Sequence, residues 1–323
     1  MDLIYTNKNR EDVGVLKDYT FDLAFGTDEN DFELTLDVNN HCCEPSCIIY
    51  VDGTEYGGIV DKINVVTKDG KLVYKGRTWH GVLGSKIITP NEYKYEAYLT
   101  MSGDANEVIG KVLDRVGLTD LFEVPAESSG LTISSYSFDR YTDVYSGIVK
   151  MLATVSAKPK LTFKSGKVVI SACPIVDYSQ DEQFDSDQVE MTIEQAHNTV
   201  NHLICLGKGE LEERQVVHLY VDGNGNVSEN QTFTGLQEVS SVYDYSSVES
   251  LDELKKSGTE KLKEYANADK VQMNFNSEET AYDVGDIVGA KEIITGIFAK
   301  QKITKKIVTI TQGLVNIQYK VGE

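Results

Sequence analysis

The chain has 323 residues, of which 41% are hydrophobic and 25% are charged, the composition of an ordinary globular protein. This length predicts two or three domains, each large enough for its own hydrophobic core. The 51 acidic and 31 basic residues give a formal net charge of −20, which disfavours binding to nucleic acid and to anionic membranes. No run approaches the roughly 20 apolar residues of a membrane span, and residues 1–8 lack the apolar core of a signal peptide. We therefore expect synthesis in the cytoplasm.

The charge is unevenly distributed along the chain. Seven acidic residues and no Lys or Arg lie between Asp177 and Glu194, whereas five lysines and no acidic residue lie between Ala299 and Gly322. The simplest interpretation of each run is a solvated face. The alternative is that the basic end contacts an acidic surface of its own chain or of a neighbour.

Residues 1–94 show the alternation typical of β-strands. Apolar and polar residues alternate over Phe32–Val38, and Ile48–Val51 predicts another strand. Asp69-Gly70, the strongest short turn signal, joins Ile63–Thr67 to Leu72–Lys75 as a hairpin. Many short strands joined by tight turns indicate a sandwich or a barrel.

The middle of the chain changes to the period of an α-helix and then back to strands. The predicted elements are a helix over Ala105–Val116 with Ser102 or Asp104 as its cap and Gly117 as its stop, a helix over Val144–Val155 that opens at Thr142 and Asp143, and a hairpin of Lys160–Lys164 and Lys167–Ser171 around Gly166.

Strands resume after an acidic segment, and one charged helix interrupts them. The predicted elements are strands over Val189–Ile193, Thr199–Leu206 and Gln215–Val221, a turn over Asp222–Asn226, a helix over Ser247–Ala266 that buries Leu251, Leu254, Leu262 and Tyr265, and short strands over Asp283–Gly289 and Glu292–Phe298.

The last predicted element is a hairpin around Gln312-Gly313. Its two strands are Lys305–Thr311 and Leu314–Val321. A two-residue loop pairs Thr311 with Leu314, which places Val308 and Ile310 beside Ile317 and Val315 on one apolar face. Ile307 and Thr309 then lie beside Gln318 and Asn316 on the other face, and Gly313 supplies the positive φ of the turn.

These elements predict a mainly β protein with an α/β insertion, an α+β fold class. The predicted domains are a β-rich domain over residues 1–94, an α/β domain over 95–176, an acidic linker over 177–188 and a second β-rich domain with one amphipathic helix over 189–323.

The only candidate metal-binding cluster is His41, Cys42, Cys43 and Cys47. Zinc sites use paired ligands at tight spacing and usually a second pair elsewhere. Here the adjacent cysteines are expected to point to opposite faces, and no second pair follows, so small residues filling the approach to strand Ile48–Val51 are the better interpretation. The remaining cysteines are Cys173 and Cys205. Because the total is odd and the spacing fits no framework, we predict reduced thiols.

Other motifs also lack the residues that their chemistry needs. Asp222, Asn224 and Asn226 imitate the start of a calcium loop, but Val227 and Phe233 stand where the pattern needs Gly and Glu, which favours a hairpin loop. Leu206–Glu210 is not a phosphate loop, because no Lys-Ser or Lys-Thr follows its second glycine. His197 and His202 are expected on opposite faces. We therefore predict no catalytic, cofactor-binding or metal site, and no cofactor.

Several stretches together resemble the short tail-hub (baseplate) proteins of contractile phages and defective prophages, which also occur in contractile bacteriocins. They are Tyr74–Pro90, Tyr136–Tyr145, Asn201–Leu211 with Val217–Asp222, Asp283–Gly289, Ile303–Val308 and Ile317–Gly322. Because these motifs are structural, they indicate kinship rather than a mechanism. Trp79 is expected in the core or an interface, and Arg77 is expected to pair with a carboxylate.

The resemblance implies a homotrimer in which two tube-like β-barrels per chain form a pseudo-sixfold ring. The ring would adapt a sixfold tail tube to a threefold spike in a phage tail or a DNA-free, tail-like particle. The implied partners are further copies of this chain, the tail tube protein, the central spike, other baseplate proteins and the tape measure. Stable binding to nucleic acid or membrane is not expected.

Two other functions fit the same resemblance. Some tail families include peptidoglycan endopeptidases or lysins, and some relatives carry a C-terminal peptidoglycan hydrolase. This chain stops at Glu323 directly after its last predicted strand, so we expect no such domain and a structural role. A plain binding adaptor is the third hypothesis.

Overall fold

The computed structural model describes most of the chain. The described residues are 1–90, 98–180, 183–185, 189, 191–194, 196, 199–246, 248, 250–266, 270–276 and 282–322. The predicted strand Val189–Ile193, the predicted linker 177–188 and the predicted helix start at Ser247 therefore fall partly outside these residues, and His197 falls wholly outside them.

The elements up to residue 185 are mostly strands. They are β1 Ile4–Thr6, β2 Asp12–Val15, β3 Thr20–Gly26, β4 Asp31–Asp37, β5 Ile48–Tyr50, β6 Gly57–Val66, β7 Lys71–Thr78, α1 Trp79–Gly84, β8 Thr100–Asp104, α2 Ala105–Arg115, β9 Phe122–Glu123, β10 Thr132–Ser137, α3 Val144–Ala153, β11 Ala157–Lys164, β12 Lys167–Pro174 and β13 Gln183–Asp185.

The later elements contain one long helix. They are β14 Met191–Glu194, β15 His202–Leu206, β16 Val216–Val221, β17 Val227–Ser228, β18 Ser240–Asp244, α4 Leu251–Ala266, β19 Lys270–Asn276, β20 Ile287–Lys291, β21 Phe298–Thr311 and β22 Leu314–Val321. Short 3₁₀ turns connect several of them. Among the described helices, none has the length and apolar character needed to cross a lipid bilayer. The predicted mainly β, α+β fold class is confirmed.

The chain forms two compact units. The first contains residues 1–191, 272–290 and 300–323, and the second contains residues 192–271 and 291–299. This division differs from the predicted domains, because the final hairpin belongs to the same unit as residues 1–94 and not to a separate domain over 189–323. The physical reason is strand pairing between the two ends of the chain.

The main sheet of the first unit is built around the final hairpin. Its order runs β19-β22-β21-β3-β4-β7-β6-β5-β1-β2, and β20 also pairs with β21. The predicted register is confirmed, since Thr311 pairs with Leu314 and Val308 with Ile317. Gln312 and Gly313 have φ values of 50° and 84°, the left-handed conformations that a two-residue hairpin loop of this kind requires.

One core of the first unit lies against the apolar face of this sheet. Val308 and Ile310 of β21 pair with Leu23 and Phe21 of β3, and all four side chains are buried. Cys43 and Cys47 belong to the same core. The predicted role of small residues filling the approach to β5 is therefore confirmed for these two cysteines.

The second core of the first unit combines the α/β segment with parts of residues 1–94. Both predicted helices are confirmed, and each begins at an aspartate whose carboxylate accepts a backbone N–H, Asp104 for α2 and Asp143 for α3. Their buried faces share this core with Trp79, whose ring stacks on Phe163 at a centroid distance of 5.2 Å. Residues 1–94 and 95–176 thus do not have separate cores.

The second unit is a small sheet covered by one helix. Its strand order is β17-β16-β15-β18, and α4 packs on it through Leu254 and Leu262. A Cβ placed on Gly258 of α4 would lie 2.4 Å from the Cys205 sulfur, so only glycine permits this close approach. Leu251, predicted to be buried, is 47% exposed.

The predicted strand over Glu292–Phe298 is absent. Glu292 to Gly296 form a turn in which the Glu292 carboxylate accepts the N–H groups of Ile294 and Thr295. The prediction of a strand over Glu292–Phe298 was wrong because this local side-chain bonding competes with a strand ladder.

We expect the core face of the final hairpin to contribute strongly to stability. Ile310→Ala should lower the free energy of unfolding by about 2–5 kcal/mol, because it removes buried methylene groups and leaves a cavity. The matched control is Leu314→Ala in the same hairpin, where the side chain is 80% exposed and the change should stay within about 0.5 kcal/mol. Urea unfolding of both variants measures the difference, and equal losses would contradict the assignment of the two faces.

Candidate functional site

The most unusual group in the first unit is a lysine inside the core. Lys306 is 3% exposed, and its Nζ lies 2.7 Å from Oε1 of Glu55. The rings of Phe25, Tyr56 and Tyr319 surround this Nζ at centroid distances of 5.6–5.8 Å. Burial disfavours the ammonium charge, but Glu55 outweighs it and the pKa of Lys306 is raised. The lysine is therefore held as a cation.

Glu55 lies in the loop between β5 and β6, which also contacts the α/β segment. The backbone N–H of Gly53 donates to the carbonyl of Phe163 at 2.9 Å, and the N–H of Phe163 donates to the carbonyl of Thr54 at 2.8 Å. The Lys306–Glu55 pair thus connects the final hairpin to a loop that is itself bonded to β11. One ion pair ties three parts of the first unit together.

A second buried lysine faces two carboxylates. Lys158 of β11 is 5% exposed, and its Nζ lies 2.6 Å from Asp286 and 3.1 Å from Asp283. Asp286 is itself buried and accepts the backbone N–H of Val176. The other Asp286 oxygen accepts the backbone N–H of Asp283 at 3.0 Å, so both oxygens of this buried carboxylate have partners, as buried charges require.

The basic end of the chain contacts acidic residues of its own chain. Lys300 pairs with Asp177 at 3.0 Å. Lys305, which is 8% exposed along its side chain, contacts both Asp28 and Glu29. Together with the Lys306–Glu55 pair, these contacts confirm, for three of the five lysines in the basic run, the interpretation that this run contacts acidic residues.

His80 lies beside Lys306 in the same interior. Its ring stacks on Phe25 at 4.8 Å and meets Tyr145 edge-on at 5.3 Å. Burial, with the nearby charge of Lys306 adding to it, lowers the pKa of His80 to about 3. The ring is therefore neutral at physiological pH.

The opposite face of the main sheet is polar and carries cross-strand charge pairs. Register places Asp31 opposite Arg77 and Glu33 opposite Lys75, and the Glu33 and Lys75 side chains form an ion pair at 2.6 Å. Arg77 instead makes two 2.8 Å bonds to Asp61, which confirms its predicted pairing with a carboxylate. A depression of about 470 Å³ lies over these residues. A solvent-exposed face whose charges are paired with one another is suited to contact with another polar surface.

The second unit contains a histidine chain that the sequence did not predict. His202 Nδ1 lies 2.7 Å from Glu238 Oε1, and His202 Nε2 lies 2.9 Å from Nδ1 of His218. Ser240 Oγ contacts the same Nδ1 at 3.0 Å. Because Glu238 accepts from Nδ1, that nitrogen is protonated and cannot take a proton from Ser240. The arrangement therefore does not activate this hydroxyl as a nucleophile.

The two adjacent cysteines differ from their prediction in where their side chains point. Cys42 Sγ and Cys43 Sγ lie 3.4 Å apart, so the expectation that they point to opposite faces was wrong. Residues 41–47 do not form a strand, and the alternation of side chains applies only to strands. Across the described part of the chain, no group of three or more His, Cys, Asp or Glu residues could hold a metal ion.

The calcium-like stretch is a hairpin loop, as predicted. The Asp222 carboxylate accepts the backbone N–H groups of Asn224 and Asn226 at 2.8 and 2.9 Å. These bonds lower the pKa of Asp222, with the Asn226 side chain making the largest contribution. The Asp222 carboxylate therefore stabilises its own loop.

Breaking the buried ion pair should cost far more than breaking an exposed one. Lys306→Met leaves Glu55 buried without its cation and should lower the free energy of unfolding by roughly 3–5 kcal/mol. The double variant Lys306→Met/Glu55→Gln should regain much of that loss. The control is Lys75→Met, whose pair with Glu33 is exposed and should cost less than about 1 kcal/mol. Urea unfolding measures all three, and similar losses for Lys306→Met and Lys75→Met would contradict the role of Lys306.

His80 should make the first unit less stable in acid. Its pKa is about 3 in the folded chain against an ordinary value of 6.5, so the unfolded chain binds more protons between these two values. Stability is then lost as the pH falls from 6.5 towards 3, by up to about 1.4 kcal/mol per pH unit. In His80→Phe this component disappears, so the gap in unfolding free energy between variant and wild type should be constant above pH 7 and change below pH 6. A gap that does not vary with pH would refute the neutral, buried ring.

Comparison with known proteins gives matches in structure rather than in sequence. No family model matches the chain, and no curated protein sequence matches it. A tail protein from Neisseria meningitidis MC58 superimposes with a TM-score of 0.56 at 13% identity, covering 100% of this chain and 96% of that protein. The 43 kDa tail protein of prophage MuSo2 from Shewanella oneidensis gives 0.58 at 10% identity, covering 99% and 98%.

A third structure agrees with these two. The prophage tail protein gp18 from Listeria monocytogenes EGD-e superimposes with a TM-score of 0.56 at 12% identity, covering 99% of this chain and 94% of that protein. Identities this low define a shared fold and transfer no residue roles. The chain has the fold of these phage tail proteins over essentially its whole length.

Proposed function

We propose that this chain is a structural hub of a contractile injection particle, either a phage tail or a tail-like bacteriocin. In this proposal a homotrimer adapts a sixfold tail tube to a threefold spike. The observation that carries it is coverage, since the likeness extends over 99–100% of this chain and 94–98% of the three tail proteins. A likeness of that extent favours a shared place in a tail over a shared module within unrelated proteins.

The final hairpin bonds to two different groups of strands, and this supports two tube-like lobes in each chain. Strand β21 has 14 residues. Its second half, Lys305–Thr311, pairs with β3, whereas Ile303 bonds to the backbone of Gly285 and Asp286 beside β20. One long hairpin therefore serves two groups of strands. Three chains with two such lobes give 3 × 2, or six, which matches a sixfold tube.

The proposed partners are proteins, namely the tail tube, the central spike, other baseplate proteins and the tape measure. The cross-strand charge pairs over the depression at Glu33 and Lys75 support a polar protein contact there. With −20 per chain, a trimer would carry 3 × −20, or −60, which supports a ring that does not hold DNA.

A non-enzymatic role is part of the proposal. The histidine chain ending at His218 lacks an activated nucleophile, since Ser240 shares the nitrogen that Glu238 keeps protonated. A peptidoglycan endopeptidase would need such a group or a bound metal ion. Zymography of the purified chain on cell walls separates the two functions, and a cleared band would refute the structural proposal.

The assembled form should be a closed ring of three. Native mass spectrometry at high protein concentration, and again with tail tube or spike protein present, should show a species of three times 35.9 kDa. A heterologous interface that closes at three copies leaves no free end, so larger open assemblies should not accumulate. If only monomers and dimers appear under all these conditions, the ring proposal fails.

A low-resolution image of a particle that contains a labelled copy of this chain tests its place directly. Density between the tube and the spike is expected. Density along the sheath, or no incorporation at all, would overturn the hub assignment even if the chain were trimeric.

A further inference from the structure

Two thiols lie side by side in the segment between β4 and β5. Cys42 Sγ and Cys43 Sγ are 3.4 Å apart. The hydroxyl of Tyr74, a fully buried residue of β7, accepts the backbone N–H groups of both cysteines at 3.1 Å. These two hydrogen bonds to one oxygen hold the segment in the conformation that brings the two sulfur atoms to the same side of the chain.

The two thiols differ in access and in acidity. Cys43 is fully buried, whereas Cys42 is only partly buried. The hydrogen bond between the two thiols lowers the pKa of Cys42, with burial opposing it and the Tyr74 hydroxyl adding to it. The same bond and burial raise the pKa of Cys43. The partly accessible sulfur is therefore the one of the two that more readily becomes a thiolate, which is the reactive form of cysteine.

We propose that Cys42 and Cys43 form a reversible redox site that closes to a disulfide between adjacent residues when it meets a peroxide-class oxidant. The Cys42 thiolate attacks one peroxide oxygen, the O–O bond breaks, and Cys42 sulfenic acid and one water result once a proton is taken up. The Cys43 sulfur then attacks the Cys42 sulfur, loses its proton, and displaces the sulfenic oxygen as a second water. Two thiols lose two electrons, and one hydrogen peroxide is reduced to two waters.

The position of the two residues makes the bond easy to reverse. Consecutive Cα atoms are about 3.8 Å apart across a trans peptide, whereas disulfides usually join Cα atoms 4.4–6.8 Å apart. A disulfide between neighbours is therefore strained, and strained disulfides are more readily reduced. The site should stay a dithiol in a reducing cytoplasm and oxidise outside it.

The nearest competing thiol is held away from this reaction. Cys47 Sγ accepts the backbone N–H of Glu44 at 3.4 Å, and its side chain is buried among the core residues of β5. Closing the Cys42–Cys43 ring would rotate the peptide between them and alter both bonds to Tyr74. The segment from residue 41 to 47 is then the part of the chain that responds to oxidation.

The test uses the full chain treated with a small excess of hydrogen peroxide, followed by thiol blocking, digestion and mass spectrometry. We expect the wild type to lose two of its five thiols, to gain a disulfide between Cys42 and Cys43, and to recover both thiols with dithiothreitol. The matched control, Cys173→Ser, removes another partly buried cysteine and should still lose two thiols. Retention of all five thiols, or a disulfide that includes Cys47, Cys173 or Cys205, would overturn the proposal.

Single variants separate the two steps. Cys43→Ala should stop at Cys42 sulfenic acid, trapped by dimedone, whereas Cys42→Ser should show neither the disulfide nor the trapped acid. Since Cys43 is buried and its variant could fail to fold, the wild type is also titrated with phenylarsine oxide, whose trivalent arsenic bonds two neighbouring thiols at once. One arsenical per chain, blocked by prior peroxide treatment, is expected. Absence of this adduct would show that the two sulfur atoms are not jointly accessible.

Discussion

The pairing of β21 with β3 is the constraint on which the rest of the structure depends. It joins Lys305–Thr311 to Thr20–Gly26 across nearly the whole length of the chain. Since side chains alternate along a strand, the register that buries Val308 and Ile310 also directs Lys306 into the core. A buried ammonium group is unfavourable without a partner. The fold therefore requires a carboxylate at that point, and Glu55 supplies it.

This requirement explains how distant parts of the first unit are held together. The loop that carries Glu55 also shares two backbone hydrogen bonds with β11, so the lysine, the loop and the α/β segment form one connected group. His80 packs beside the same lysine and stays neutral because burial and the lysine's charge both oppose its protonation. The acidic composition that suggested a repellent surface thus also provides the partners of the few lysines placed inside.

Local patterns predicted well those elements whose partners lie nearby. The final hairpin, the two capped helices and the Asp222 loop are set by turn residues and by side chains within a few positions, and the structure reproduces them. The same reasoning failed at Glu292–Phe298, where a carboxylate accepts backbone N–H groups of its own segment and this local bonding competes with the strand pattern. It also failed at Cys42–Cys43, where the distant Tyr74 hydroxyl accepts the backbone N–H groups of both cysteines.

The sequence by itself determined the fold class, the register of the last hairpin, the helix caps and the expectation of tail-hub kinship, because these follow from periodicity, turn chemistry and characteristic stretches. Only the tertiary structure decided which strand the hairpin joins, how the compact units divide the chain, and that His202 meets His218 and Glu238. Such contacts join residues far apart in sequence. Their partners are chosen by the burial of a whole sheet face, which no local window contains.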